Sequence, residues 1–385
     1  MRSAAAGLYV HIPFCTARCH YCDFVVKPLQ PSQVKKYWQS LEQEIRLAAP
    51  RWSDVPFSSI FFGGGTPSAV PAEELIELLH LLRDRFHVEQ DAEITMEANP
   101  ESLTLEQLQK LRSAGINRLS IGLQTWQDDL LARLGRRHRR DDFLRSYHQA
   151  RQAGFTNINV DLMYGLPGQT LEAWRETLRE VTLLMPEHIS AYCLQIEEGT
   201  AFDRWVRQGT LTLPDEELQV EMIYETRHSL QKAGYEHYEL SNYSLPGKAS
   251  RHNLVYWLHR PYLGLGPGAY SYRGGLRWWN VDLLRLYHGR LAEGRLPLAG
   301  EEHLGRSEQM TEYVFLHLRL VRQGLSEDEF QERFDISLDR AFPNIAQRLQ
   351  QDGWLRREGR RLLLTEKALP LANWVCAHFV SLTTQ

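Results

Sequence analysis

Three cysteines within eight residues, Cys15, Cys19 and Cys22, constrain this chain more than any other stretch. They come directly after a strand-like apolar run, Leu8 to Phe14, and are spaced C-x3-C-x2-C. Thiols this close cannot all pair with one another, and an odd number leaves one over, so a disulfide framework is a poor reading. A loop that carries them suits a soft metal centre. Zinc asks for a fourth ligand, which His20 or Asp23 could supply. An iron–sulfur cube prefers four thiolates, and with three of them one iron stays open to a ligand that is not protein. Spacing alone leaves cluster, zinc and incidental cysteines all standing.

Beyond the loop the chain alternates regularly. Val34, Tyr37, Trp38, Leu41 and Ile45 recur at helical spacing within Ser32 to Ala48. A short apolar strand, Ser59 to Phe62, then runs into Gly63, Gly64, Gly65, Thr66, Pro67 and Ser68. Glycines at a strand end let backbone approach a ligand closely; the other reading is a tight turn. Further strands are expected at 93–100, 117–124, 157–164 and 188–195, separated by helices over Leu75 to Phe86, Thr104 to Ala114 and Thr170 to Leu184. Six strand–helix units of this length imply a parallel sheet. Glu97, Gln124 and Asp161 all fall toward carboxyl ends of their strands, the edge that carries active sites in barrel-like α/β folds. The expected architecture is an α/β fold, an open six-stranded partial barrel over residues 1–200. An extension occupies 201–300, within which Tyr262 to Tyr270 reads as a glycine-punctuated turn region.

From about Ser307 helices dominate, and the stretch from Trp354 to Leu364 reads as a hairpin before a last helix. Three helices and a hairpin resemble a winged-helix unit over residues 301–385, for which packing or interaction is the preferred role because fold alone assigns no function. The net charge of −4 argues against nucleic-acid binding by the whole chain, although Arg136, Arg137, His138, Arg139 and Arg140 form a local basic run. No apolar stretch is long enough to span a bilayer, and the seven residues Met1 to Gly7 are too few for a signal peptide. With cysteines in no secreted-scaffold pattern, a reducing cytoplasm is expected. Cys193 and Cys376 read as buried packing residues.

The cysteine loop with Tyr21 before its third cysteine resembles the radical S-adenosylmethionine signature. Other pieces extend the likeness nearly end to end: Tyr9 to Cys15, Gly63 to Ser68, Glu97 to Pro100, Ser120 to Gln124, Leu134 to Arg136, Asp161 to Pro167 and His252 to Trp257. Together they resemble the coproporphyrinogen III oxidase-like branch of that superfamily, and within it the HemW-type heme chaperones. The resemblance implies a [4Fe–4S] cluster on Cys15, Cys19 and Cys22. It places S-adenosylmethionine against Tyr9, Tyr21, Gly64, Gly65, Thr66, Glu97, Gln124, Arg136 and Asp161. It also implies heme at His252, inside a segment that matches HNxxYW, and heme-accepting proteins as partners, through which peripheral membrane contact could arise.

Two features separate the branches. The dehydrogenase-type oxidases carry another cysteine two places after the third, where this chain has Phe24, and an N-terminal lid, where this chain has eight residues before Tyr9. The expectation is therefore a heme chaperone without oxidase activity. The runner-up is oxygen-independent oxidative decarboxylation of coproporphyrinogen III by a 5′-deoxyadenosyl radical, and a zinc-bound structural protein is a third class.

Overall fold

The computed structural model describes residues 5–380. Six strands build the first half: β1 (Ala6–Ile12), β2 (Phe57–Gly64), β3 (Val88–Ala98), β4 (Arg118–Gln124), β5 (Ile158–Tyr164) and β6 (His188–Cys193). Each pairs in parallel with the next in chain order. Helices α1 (Pro31–Ala48), α2 (Ala72–Arg85), α3 (Leu105–Ala114), α4 (Asp128–Arg133), α5 (Arg140–Gln152) and α6 (Leu171–Leu183) supply the crossovers. Thr104 and Thr170 cap α3 and α6 with their hydroxyls, and Gly115 closes α3 in the left-handed region at φ 109°.

These strands are buried on both faces, yet the two faces differ. Leu8, Val10, Ile12, Ile60, Phe62, Ile94, Met96, Leu119, Ile121, Val160 and Leu162 belong to the core shared with helix residues such as Leu41 and Leu75. The alternate positions carry Tyr9, Ser59, Glu93, Glu97, Arg118, Ser120, Asn159, Asp161 and His188. Side chains alternate across a strand, so the sheet has an apolar helix-covered face and a polar face. Buried polar groups are costly unless bonded. Here Asn159 Nδ2 donates to Ser120 Oγ and Asp161 Oδ1 at 2.7 Å each, and His188 Nδ1 lies 2.6 Å from Asn159 Oδ1.

Beyond β6 come α7 (Ala201–Arg207), α8 (Glu216–Lys232), β7 (Glu236–Glu239), β8 (Asn242–Ser244), α9 (Arg251–Trp257), β9 (Tyr262–Leu265), β10 (Tyr270–Arg273), β11 (Leu276–Asn280), α10 (Leu284–Ala292) and β12 (Leu298–His303). This segment extends the sheet at both edges, giving the order β12-β11-β10-β9-β1-β2-β3-β4-β5-β6-β8-β7. The sequence reading of 262–270 as a glycine-punctuated turn region needs correction. Tyr262–Leu265 is a strand parallel to β1, with Gly7 opposite Tyr262. Gly264 is needed there because a Cβ would lie 2.2 Å from the Tyr270 carbonyl oxygen. The buried Glu44 of α1 ties this addition down. Its oxygens accept from Gly266 N at 2.8 Å, Tyr287 Oη at 2.6 Å and Asn280 Nδ2 at 2.5 Å.

The C-terminal part has a core of its own, including Tyr313, Val314, Phe330, Phe342, Leu349, Leu362 and Val375. Its elements are α11 (Arg306–Leu318), β13 (Leu325–Ser326), α12 (Glu327–Phe334), α13 (Leu338–Ala341), α14 (Ile345–Gln351), β14 (Leu355–Glu358), β15 (Arg361–Leu364) and α15 (Ala372–Ala377). β15 lies between β13 and β14. Helices succeeded by a hairpin that turns at Gly359, φ 58°, match the winged-helix-like expectation.

Candidate functional site

The three cysteines leave β1 on a loop at the carboxyl edge of the sheet. All are unpaired thiols of intermediate exposure. The loop is pinned at several points. His20 N donates to Leu134 O at 3.0 Å, and His20 Nδ1 lies 2.9 Å from Arg133 O. Phe14–Cys15 also pairs in parallel with Lys27–Pro28, where the loop returns. Burial raises the pKa of Cys15, and that of Cys22 to about 11. Among the described residues no three His, Cys, Asp or Glu side chains converge as ligands of a single ion would. A cluster asks for something else: each thiolate takes its own iron, so the thiols surround a volume rather than meet at a point. Three reduced thiols on one anchored loop fit that need.

The glycine run seats this loop. Gly65 N donates to Ile12 O at 2.8 Å and Thr66 N to Phe14 O at 2.7 Å. A Cβ on Gly65 would meet Phe14 O at 2.6 Å, and one on Gly64, where φ is 110°, would meet the His11 ring at the same distance. The close approach anticipated from the sequence is thus an approach to the cysteine loop's own backbone. Thr66 Oγ1 then lies 3.3 Å from Cys15 Sγ and accepts from Asn99 Nδ2 at 3.1 Å.

The strand ends form a ledge beside the loop. Glu97 Oε2 accepts from Gly64 N at 3.1 Å. Burial, with nearby Asp161, lifts the Glu97 pKa to about 8, so this carboxyl is poised to gain from a cationic partner. Arg136 reaches in from beyond α4, donating from Nη1 to Asn99 Oδ1 at 2.7 Å and from Nη2 to Tyr21 Oη at 2.9 Å. Its buried Nε has no hydrogen-bond partner among the described residues. Gln124 sits at φ 74°, and its amide folds over Gly122, where a Cβ would lie 2.8 Å from Nε2. Asp161 keeps lone pairs beyond those bonded by Ser120 Oγ at 2.9 Å and by Asn159. Tyr9 Oη lies 3.0 Å from His11 Nδ1, and its ring stacks on Phe61. Two carboxyl groups, a guanidinium and two amides on one ledge suit a zwitterionic ligand with hydroxyl groups.

The basic run is divided, with Arg137, Arg139 and Arg140 exposed. Arg136 turns into the ledge, His138 is 1% exposed, and Arg139 N and Arg140 N cap helix starts through Asp142 and Asp128. His252, where the resemblance implies heme, is deeply packed. It is 1% exposed on α9, with Nδ1 2.9 Å from Ser59 Oγ and Nε2 2.9 Å from Tyr256 Oη, and its ring stacks on Phe61. Burial pushes its pKa down to about 3. Both nitrogens are engaged by side-chain hydroxyl groups. Cys193 is half-buried and donates to Gln219 Oε1 at 3.3 Å, whereas Cys376 is buried as expected.

Sequence reasoning missed Asn99, which links Arg136 to Thr66, and the Ser120–Asn159–His188 network. Their signal was present: polar residues at every second position of otherwise apolar strands.

A three-cysteine loop after the first strand of an open parallel half-barrel, facing polar strand ends, defines a radical S-adenosylmethionine protein. The Radical SAM superfamily model matches residues 9–181, and the HemN C-terminal domain model matches 304–371. The heme chaperone HemW of Bacillus subtilis (strain 168) is 38% identical over 373 residues, 97% of this chain and 98% of that protein. The heme chaperone HemW of Mycobacterium tuberculosis (strain H37Rv) is 38% identical over 372 residues, 96% of this chain and 93% of that one. The solved structure of Escherichia coli coproporphyrinogen III oxidase, HemN, is similar with a TM-score of 0.85 at 26% identity, covering 99% of this chain and 91% of that chain. This chain belongs to the HemW family of the radical SAM superfamily.

Proposed function

We propose that the protein binds heme and delivers it to acceptor proteins, with a [4Fe–4S] cluster on Cys15, Cys19 and Cys22 and S-adenosylmethionine on the adjoining ledge. The observation that carries the reading is identity to heme chaperones along nearly the whole of both chains. The ledge supports the cofactor part. Glu97 receives the amino group and Arg136 the carboxylate, with the unpartnered Nε completing its hydrogen bonds. Gln124 and Asp161 take the ribose hydroxyls, while Tyr9, Tyr21 and the Gly64–Thr66 backbone wall the site. When bound, the cluster supplies an electron and an open iron. The chain's own residues hold the thiols, orient the zwitterion and exclude water.

Similarity to a coproporphyrinogen III oxidase favours a second reading, oxidative decarboxylation. Against it stands Phe24, whose 55% exposed ring occupies the position of the oxidases' additional cysteine. One anaerobic experiment separates the two: reconstituted protein, dithionite, S-adenosylmethionine and coproporphyrinogen III, with a heme titration alongside. Stoichiometric heme binding without decarboxylated product is the expected result; turnover to protoporphyrinogen IX would overturn the chaperone reading.

A further inference from the structure

His11 belongs to β1, two residues after Tyr9 and on the same face of the sheet, yet neither the spacing of the motifs nor the resemblance gives it a role. It is 7% exposed. Its Nε2 lies 2.8 Å from the carbonyl oxygen of Val25, and its Nδ1 lies 3.0 Å from Tyr9 Oη. A carbonyl only accepts, so Nε2 carries the proton. Burial lowers the pKa of this imidazole and keeps it neutral, which leaves Nδ1 with a lone pair and no hydrogen. The Tyr9 hydroxyl therefore donates to Nδ1, and the lone pairs that remain on Oη can only accept. The ring fits here because Gly64 lacks a Cβ, which would fall 2.6 Å from Nδ1.

Tyr9 is the one residue of β1 that is not buried, as Phe61 is in β2 and Asp161 in β5. Glu97, also part-exposed, opens to the same side near the end of β3. Phe61, Tyr9 and Glu97 converge over Gly63, where a Cβ would lie 2.9, 3.0 and 3.1 Å from them. The Tyr9 phenol thus borders the ledge carboxyl group, and among the described residues nothing donates to its oxygen.

We propose that His11 is a positioning residue for S-adenosylmethionine: by taking the Tyr9 proton it turns that hydroxyl into an acceptor, which joins Glu97 in receiving the cofactor's amino group. The inference rests on the cofactor reading above and deepens it. The amino group, free as an ammonium or bound to a metal as an amine, offers protons and no lone pair. A tyrosine hydroxyl free to rotate would donate to the Glu97 carboxylate instead, so that the two protein groups satisfied each other and competed with the ligand. His11 closes that alternative before the ligand arrives, and an acceptor set in advance costs less to recruit on binding. The same ring holds Val25, three residues after Cys22, so one side chain sets both the return of the cysteine loop and the direction of the Tyr9 hydrogen bond.

The test is anaerobic calorimetry on cluster-loaded protein at equal iron content, with two ligands: S-adenosylmethionine, and 5′-methylthioadenosine, which lacks the amino acid part. Wild type is compared with Tyr9→Phe, His11→Leu, His11→Gln and the double variant Tyr9→Phe/His11→Leu. S-adenosylmethionine affinity should fall roughly tenfold in Tyr9→Phe and in His11→Leu, and no further in the double variant. Methylthioadenosine affinity should stay within about twofold throughout. His11→Gln, whose amide offers one donor and one acceptor, should restore most of the lost affinity. Additive losses in the double variant, or an equal loss of methylthioadenosine binding in His11→Leu, would mark a merely structural histidine and overturn the proposal. Wild-type affinity for S-adenosylmethionine in His11→Leu overturns it too. Should His11→Leu not fold, Tyr9→Phe decides, because undiminished binding there leaves His11 nothing to direct. If wild type binds no S-adenosylmethionine, it is the underlying cofactor reading that fails.

Discussion

Replacing His252 with alanine separates a structural histidine from a heme ligand. In the structure the imidazole bridges Ser59 Oγ on β2 and Tyr256 Oη one turn along α9, at 2.9 Å each. Its loss strands two hydroxyl groups at about 1–3 kcal/mol each. The imidazole also stacks on Phe61 with centroids 5.1 Å apart, an arrangement that contributes about 1 kcal/mol. The expected destabilisation is about 3–7 kcal/mol, large against the total stability of a domain. Denaturant titration read by tryptophan fluorescence measures it, since Trp52 and Trp174 are deep in the same core. The folded fraction should keep its heme affinity within about threefold. A loss of less than about 1 kcal/mol accompanied by abolished heme binding would refute the reasoning and return His252 to the iron.

Three further outcomes are expected. Glu44→Ala leaves Gly266 N, Asn280 Nδ2 and Tyr287 Oη without their shared acceptor, so thermal and denaturant unfolding should report a loss of about 3–6 kcal/mol. Glu97→Gln should weaken S-adenosylmethionine binding and flatten its pH dependence. In wild type the Glu97 proton, held to about pH 8, must leave before the carboxylate can pair with an ammonium, so calorimetric affinity should rise from about pH 6 to about 7.5. Stability itself should peak near about pH 6.5. Below that, the unfolded chain takes up protons that buried His252, His259, His237 and His317, with pKa values lowered to about 3 or 4, refuse in the native state, so stability falls with falling pH. Above it, ionising Glu44 and Glu97, raised to about 7 and 8, favours the unfolded chain, so stability falls as pH rises. Denaturation midpoints that climb steadily from about pH 5 to about pH 9 would contradict this.

The parallel half-barrel was legible because its strands and helices differ in period, and because Gly115, Thr104 and Thr170 mark helix ends by local chemistry. The cysteine loop and the glycine run were legible as motifs. The features that stayed hidden depend on partners distant in the chain. Tyr262–Leu265 is too short and too rich in glycine to read as a strand, and it becomes one only because β1 offers it an edge. His252 stands out in the sequence through its HNxxYW segment; that Ser59 and Tyr256 bond its two nitrogens is a fact of three dimensions.

The pairing of Gly7 with Tyr262 sets an order in time. During synthesis β1 emerges first, yet one of its two neighbours is made only after most of the chain, roughly tens of seconds later at ribosomal speed. Until then the strand that leads into Cys15 presents an open hydrogen-bonding edge, a hazard for association between nascent chains. A product that stops short of β9 keeps that edge permanently, even with its cysteine loop and glycine run complete. The nascent N-terminal half thus depends on Tyr262–Leu265, far along the chain, to make it safe.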